Sequence, residues 1–164
     1  MWCQYLARHW PSCYDDEALM VRADRAKTTD PARADSFAEV GRRLLSAARA
    51  ISEQGDSRHG SALAVLAVHT VIAVADAVTI HTGGRRSTSA DHAAVLALLR
   101  DVLGNRLPDR IGKDLQRVIA EKDHYEYQGY VAGLAESRTL LDRAERVAAW
   151  GEEWLNTTPR LRAR

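Results

Sequence analysis

The run Arg117-Val-Ile-Ala-Glu-Lys-Asp-His-Tyr-Glu-Tyr127 packs a guanidinium, an acid pair, an imidazole and two tyrosines into three helical turns. Seven positions separate Arg117 from His124. At roughly 100° per residue both side chains return to nearly the same helix face. A guanidinium stabilises charge building on a phosphate, and an imidazole titrating near neutrality moves a proton. Together they are the minimum equipment for cutting RNA, and equally for holding a nucleotide without cutting it. The competing reading is a solvated helix face with Arg117 paired to Glu121 one turn on.

A second set of polar residues falls where the pattern of apolar residues predicts burial. His69, Ile72, Ala73, Asp76 and Ile80 share a stripe on a helix whose other faces are also apolar. Farther on, Ile111, Leu115, Val118, Lys122 and Tyr125 make an inward stripe, so Lys122 is expected to point into the bundle. A buried ammonium needs an acid, and Asp76 and Asp91 are the natural partners. These groups fix helix register or line a pocket. In the pocket reading they join Arg85, Arg86, Ser87, Asp91 and His92 from the loop and helix start between them. Glycines and arginines before a helix start suit an anion, although Asp91 opposes one and a solvated loop is the simpler role for Arg85 and Arg86. Arg117, Glu121, His124 and Gln128 form the neighbouring polar face, and Asp114 leads into it.

The elements that must position these residues read as helices. Asp35 or Ser36 is expected to cap a first helix with Phe37, Val40, Leu44, Leu45, Ala48 and Ile51 inward, broken at Gly55-Asp-Ser57. A long apolar helix follows from Ser57 to Thr82, then a loop from Gly83 to Ser89. Further helices are expected over about 90–103, 109–127 and 131–155, the last with Leu134, Leu141, Ala144, Val147, Ala148 and Trp154 inward. No strand is expected. The sequence thus predicts an all-α protein, an antiparallel bundle of four to five helices. Residues 1–31 read as an appended segment, 32–156 as the bundle, and 157–164 as a basic tail.

Composition narrows the function. A chain of 164 residues with 46% hydrophobic residues is long enough for one domain with a real core. A net charge of +1 gives no global pull toward nucleic acid or membrane, so any basic site must be local. The most apolar stretch, Ala62 to Ile80, carries His69 and Asp76. It reads as a bundle helix rather than a membrane span, which needs about 18 apolar residues. No secretory signal is read at the start, so a cytoplasmic location is expected, with Cys3 and Cys13 reduced. No metal and no cofactor are expected, because no Glu-x-x-His pair, phosphate loop, dinucleotide fingerprint or nucleophile elbow occurs. No recognition helix with a basic flank stands out, so DNA is not an expected partner.

The order of these features resembles the HEPN superfamily, small helical bundles of bacterial toxin–antitoxin, defence and RNA-processing systems. The resemblance rests on the apolar second helix with His69 and Asp76-Ala77, the Gly-Arg-Arg-Ser loop, and Ser89-Ala-Asp-His92 opening the next helix. Lys122, with Tyr125-Glu126-Tyr127-Gln-Gly129 after it, completes the pattern. It covers about Ala34 to Leu155 and looks most like an actinobacterial-type branch of unassigned function. It implies a homodimer and a partner such as an antitoxin or a nucleotidyltransferase. For the ribonuclease members it implies a metal-independent cut by an Arg-x4–6-His motif, here Arg117 and His124, completed across the dimer. Val118 stands where a polar residue is usual, and Glu126 where toxin members carry a tyrosine. For the non-cutting members the resemblance implies a nucleotide, RNA or protein site built from His69, Asp76, Lys122, Tyr125, Glu126 and Tyr127. A purely structural adaptor is the third reading.

Overall fold

The computed structural model describes residues 26–88, 93–127 and 130–162. Its described helices are α1 (Ala34–Gln54), α2 (Gly60–Gly83), α3 (Ala93–Leu103), α4 (Asp109–Ala120), α5 (Lys122–Tyr127) and α6 (Leu134–Thr157). They form the all-α helical bundle that the sequence predicts. Two three-residue strands, β1 (Ala26–Thr28) and β2 (Arg85–Ser87), add a small antiparallel ribbon that pairs Lys27 with Arg86. The ribbon corrects the expectation of an uninterrupted loop after Gly83. Strands this short leave no alternation to read.

Helix α2 is the axis of the bundle. It has no polar face, and Leu63, Val68, Val71, Val78 and Ile80 are fully buried. Together with the turn before it, the stretch Ser57 to Gly83 is long and apolar enough to cross a membrane by length and composition, and its most apolar stretch has a mean hydropathy of 2.1. What marks α2 as a core helix is its surroundings, since 78% of its most apolar stretch is buried by the rest of the protein.

Helix α1 meets α2 through small residues. Its buried row is Ala34, Ala38, Gly41, Leu45 and Ala48, at alternating spacings of four and three. The larger residues expected inward lie to the side: Phe37, Leu44 and Ile51 are half-buried and Val40 is 49% exposed. A close crossing selects against bulk. A Cβ at Gly41 would stand 3.2 Å from Val74 Cγ2, and one at Gly151 of α6 only 2.3 Å from Val74 Cγ1. Val74 therefore fills two notches, one on each flanking helix. The helix also starts differently from expectation. Asp30 accepts a hydrogen bond from the Ala32 amide and caps a 3-10 turn over Pro31–Arg33, and α1 continues from it at Ala34. Gly55 ends α1 in the left-handed region at φ 71°.

The expected fourth helix is two. α4 stops at Ala120 and α5 starts at Lys122, with Glu121 between them. No proline or glycine marks the joint. α6 begins at Leu134, later than expected, because Ala132 and Gly133 are held against α2. The Ala132 amide donates to Ser61 Oγ at 3.0 Å, and the Ser137 hydroxyl donates to the Gly60 carbonyl at 2.8 Å. The inward residues of α6 follow the predicted stripe, with Leu141, Ala144, Val147 and Ala148 buried.

Residues on both sides of the expected boundaries at 31 and 157 pack on this bundle. The Thr29 amide donates to the Gly84 carbonyl at 2.8 Å, and Pro31 is buried. The Leu161 amide donates to the His81 carbonyl at 2.9 Å, and Arg160 pairs with Asp35.

Candidate functional site

The joint between α4 and α5 decides how the predicted residues are displayed. Arg117 precedes it on the exposed side of α4 and makes no ion pair among the described residues, Glu121 included. His124 follows it and is half-buried. Its ring lies against Tyr130 with centroids 4.1 Å apart and meets Tyr125 edge-on at 5.5 Å. Glu121, in right-handed helical backbone, is the single residue between the two helices, and its carbonyl accepts from the Tyr125 amide at 3.2 Å.

Around His124 a compact polar cluster forms at the turn into α6. The Tyr125 hydroxyl donates to Glu136 Oε1 at 2.6 Å, and the Tyr130 hydroxyl donates to Oε2 of the same carboxylate at 3.0 Å. Burial, reinforced by the carboxylate, pushes the buried Tyr125 hydroxyl well above the usual phenol range. The Glu136 hydrogen bond and charge also raise Tyr130. The Tyr125 hydrogen bond is the main force holding Glu136 below the usual carboxylate range, helped by Tyr130 and the Gly133 amide. Tyr130 and Val131 then extend outward, 40% and 80% exposed. Glu136 and Tyr130 were absent from the sequence reading. No local pattern joins them, since Tyr125 lies in α5, Tyr130 in the connection and Glu136 in α6.

The inner set is partly assembled. Asp76 is buried, as the stripe predicts, and accepts from Arg86 Nε at 2.9 Å. Arg86 also covers the Phe37 ring at 4.7 Å. Arg85 pairs with Asp101 at 2.6 Å. Both loop arginines thus serve carboxylates of the chain, which corrects the expectation of an anion-holding or solvated loop. Lys122 is buried at 5% exposure and His69 is half-buried, and neither is without a partner. The short helix α5 packs directly on α2, which carries Asp76 and His69. Asp91 and His92 lie outside the described residues, as do the side chains of Glu126 and Tyr127.

Three polar features escaped the sequence reading. Asp114, expected on a polar face, is buried and takes Arg146 of α6 in a two-pronged bond at 2.9 and 3.1 Å. Arg146, aided by Arg143 and Arg110, holds its carboxyl below the usual range. His81 is buried at the end of α2. Its Nε2–H donates to the Thr158 carbonyl at 2.8 Å, while Nδ1 has no hydrogen-bond partner. An open groove of about 550 Å³ lies between α3 and α4, bordered by Arg100, Asn105, Leu107, Lys113 and Gln116. No cluster of three or more potential metal ligands occurs among the described residues.

Compared with protein-family models, curated proteins and solved structures, the chain matches none of them.

Proposed function

We propose that this chain is a HEPN-like helical binding and interaction module that dimerises and holds a nucleotide, RNA or protein partner without cutting it. The setting we propose is of the toxin–antitoxin or defence type. The observation that carries this reading is the engagement of the His124 ring with two tyrosine rings. Catalysis needs the guanidinium and the imidazole free to converge on one phosphate. Here Arg117 stands in solvent, while His124 is engaged with two tyrosine rings. The cluster of His124, Tyr125, Tyr130 and Glu136, with Val131 beside it, offers a rigid aromatic surface of the kind that anchors a partner. Lys122, in the same short helix as His124 and Tyr125, is buried.

The test is incubation of labelled total tRNA and mRNA with the pure protein in EDTA, beside Arg117→Ala and His124→Ala. No cleavage by any of the three is expected. Cleavage by the wild type that both substitutions abolish would replace this reading with a metal-independent ribonuclease.

A further inference from the structure

On the exposed side of α4, Arg110, Lys113 and Arg117 follow one another at spacings of three and four. Buried Asp114 lies between the two arginines. From α6, Arg146 grips Asp114 with both prongs, and Arg143 reaches it at 3.8 Å. Arg110 is close enough to help stabilise the same carboxylate. Three guanidiniums, those of Arg146, Arg143 and Arg110, therefore act on one buried acid, with Lys113 and Arg117 farther along the exposed side of α4. Arg49, Arg58, Arg85, Arg86 and Arg160 each meet a carboxylate of their own. Arg110, Lys113 and Arg117 make no ion pair among the described residues. In a chain of net charge +1 this ridge is a concentrated local excess of positive charge.

We propose that the ridge of Arg110, Lys113 and Arg117, backed by Arg143 and Arg146, is the docking surface for an acidic amphipathic helix of a protein partner. The proposal rests on the binding-module reading and names its partner. Arg110 and Arg117 are seven residues apart on one helix face, a span of about 10 Å. Carboxylates at spacings of three, four and seven on a second helix cover the same span. A nucleic acid fits less well. Its affinity comes from neutralising many phosphates in a row, and its readers are strongly basic overall. This chain has a sequence pI of about 7.9, and Asp142 stands close to Arg146, where it would repel a continuing phosphate strand. The grip of Asp114 on Arg146 orders that end of the ridge in advance, which lowers the entropy lost on docking.

The test uses the full chain and three probes at low salt, read by fluorescence anisotropy. They are an alanine-based helical peptide with Glu at these spacings, its Lys counterpart, and an oligouridine of similar length. The Glu peptide is expected to bind, and Arg110→Glu with Arg117→Glu to weaken it on the order of tenfold. The same double variant is expected to gain binding to the Lys peptide. Both sites are exposed, so the fold should survive, and circular dichroism checks that it does. Glu-peptide binding that is absent, or unchanged in the double variant, overturns the proposal. So does oligouridine bound more tightly with the same dependence on the two arginines, which makes the ridge a nucleic-acid surface. The RNA-cleavage assay reports on the binding-module reading separately, so failure of one is not mistaken for failure of the other.

Discussion

The α1–α2–α6 packing and the α5–α6 turn hold their residues by opposite means. Around α2 the specification is steric. Glycines at 41, 60 and 151 let backbones approach, and Val74 fills the notches that two of them leave. At the α5–α6 turn the specification is polar: one carboxylate, Glu136, collects two tyrosine hydroxyls and His124 stacks on one of their rings. The first region tolerates almost no added atom and has nothing to titrate at the notches. The second has solvent at its rim and three groups whose protonation is coupled.

The sharpest way to break the comparison is at Gly60. A Cβ there would stand 2.1 Å from the Ala132 carbonyl oxygen, a backbone atom pinned by the Ala132–Ser61 bond. Gly60→Ala is expected to cost about 3 kcal/mol or more in chemical denaturation, the upper end for overpacking. Gly151→Ala meets only the Val74 side chain, and a cost of about 1–3 kcal/mol is expected. A melt of Gly60→Ala that matches the wild type would remove the claim that backbone approach fixes this crossing.

Asp114 sits between the two regimes, polar yet buried. Asp114→Asn leaves Arg146 with a weaker acceptor and is expected to cost on the order of 1–3 kcal/mol at neutral pH. The sign with pH follows from its lowered folded value. Its stabilisation is present above the ordinary carboxylate range, about pH 4, and is lost as pH falls through the folded value. The gap between wild type and Asp114→Asn should therefore close on acidification, which urea titrations at several pH values will read.

At the turn the effects are smaller and spectroscopic. Glu136→Gln removes a charge that raises Tyr125 and Tyr130, so both hydroxyls should ionise at lower pH, with burial keeping Tyr125 the later of the two. Ultraviolet titration near 295 nm, the tyrosinate band, reads this directly, and unchanged curves would deny the shared carboxylate. Arg117→Ala is the smallest case. Exposed and without an ion pair among the described residues, Arg117 should change stability by less than about 0.5 kcal/mol.

Much of the bundle was legible because long periodic helices announce themselves. The stripes placed Asp76, Lys122 and Tyr125 inside, and all three are buried. Part of the α1 face was misjudged because large apolar residues catch the eye, whereas a close crossing buries Ala34, Ala38 and Gly41. The ribbon of Ala26–Thr28 with Arg85–Ser87 pairs residues nearly sixty positions apart, which no local pattern reveals. Glu121 was legible only as part of a helix, because the joint there carries no proline or glycine. Asp114 went unseen as a buried acid because its partners lie on α6, about thirty residues away.

The most direct test of the account is the surroundings of the His124 ring in solution. We expect proton nuclear Overhauser contacts from the His124 imidazole to the Tyr130 and Tyr125 rings, with its resonances unmoved in Arg117→Ala. An imidazole without those contacts, whose resonances and titration shift when Arg117 is removed, would mean that the two residues act together after all.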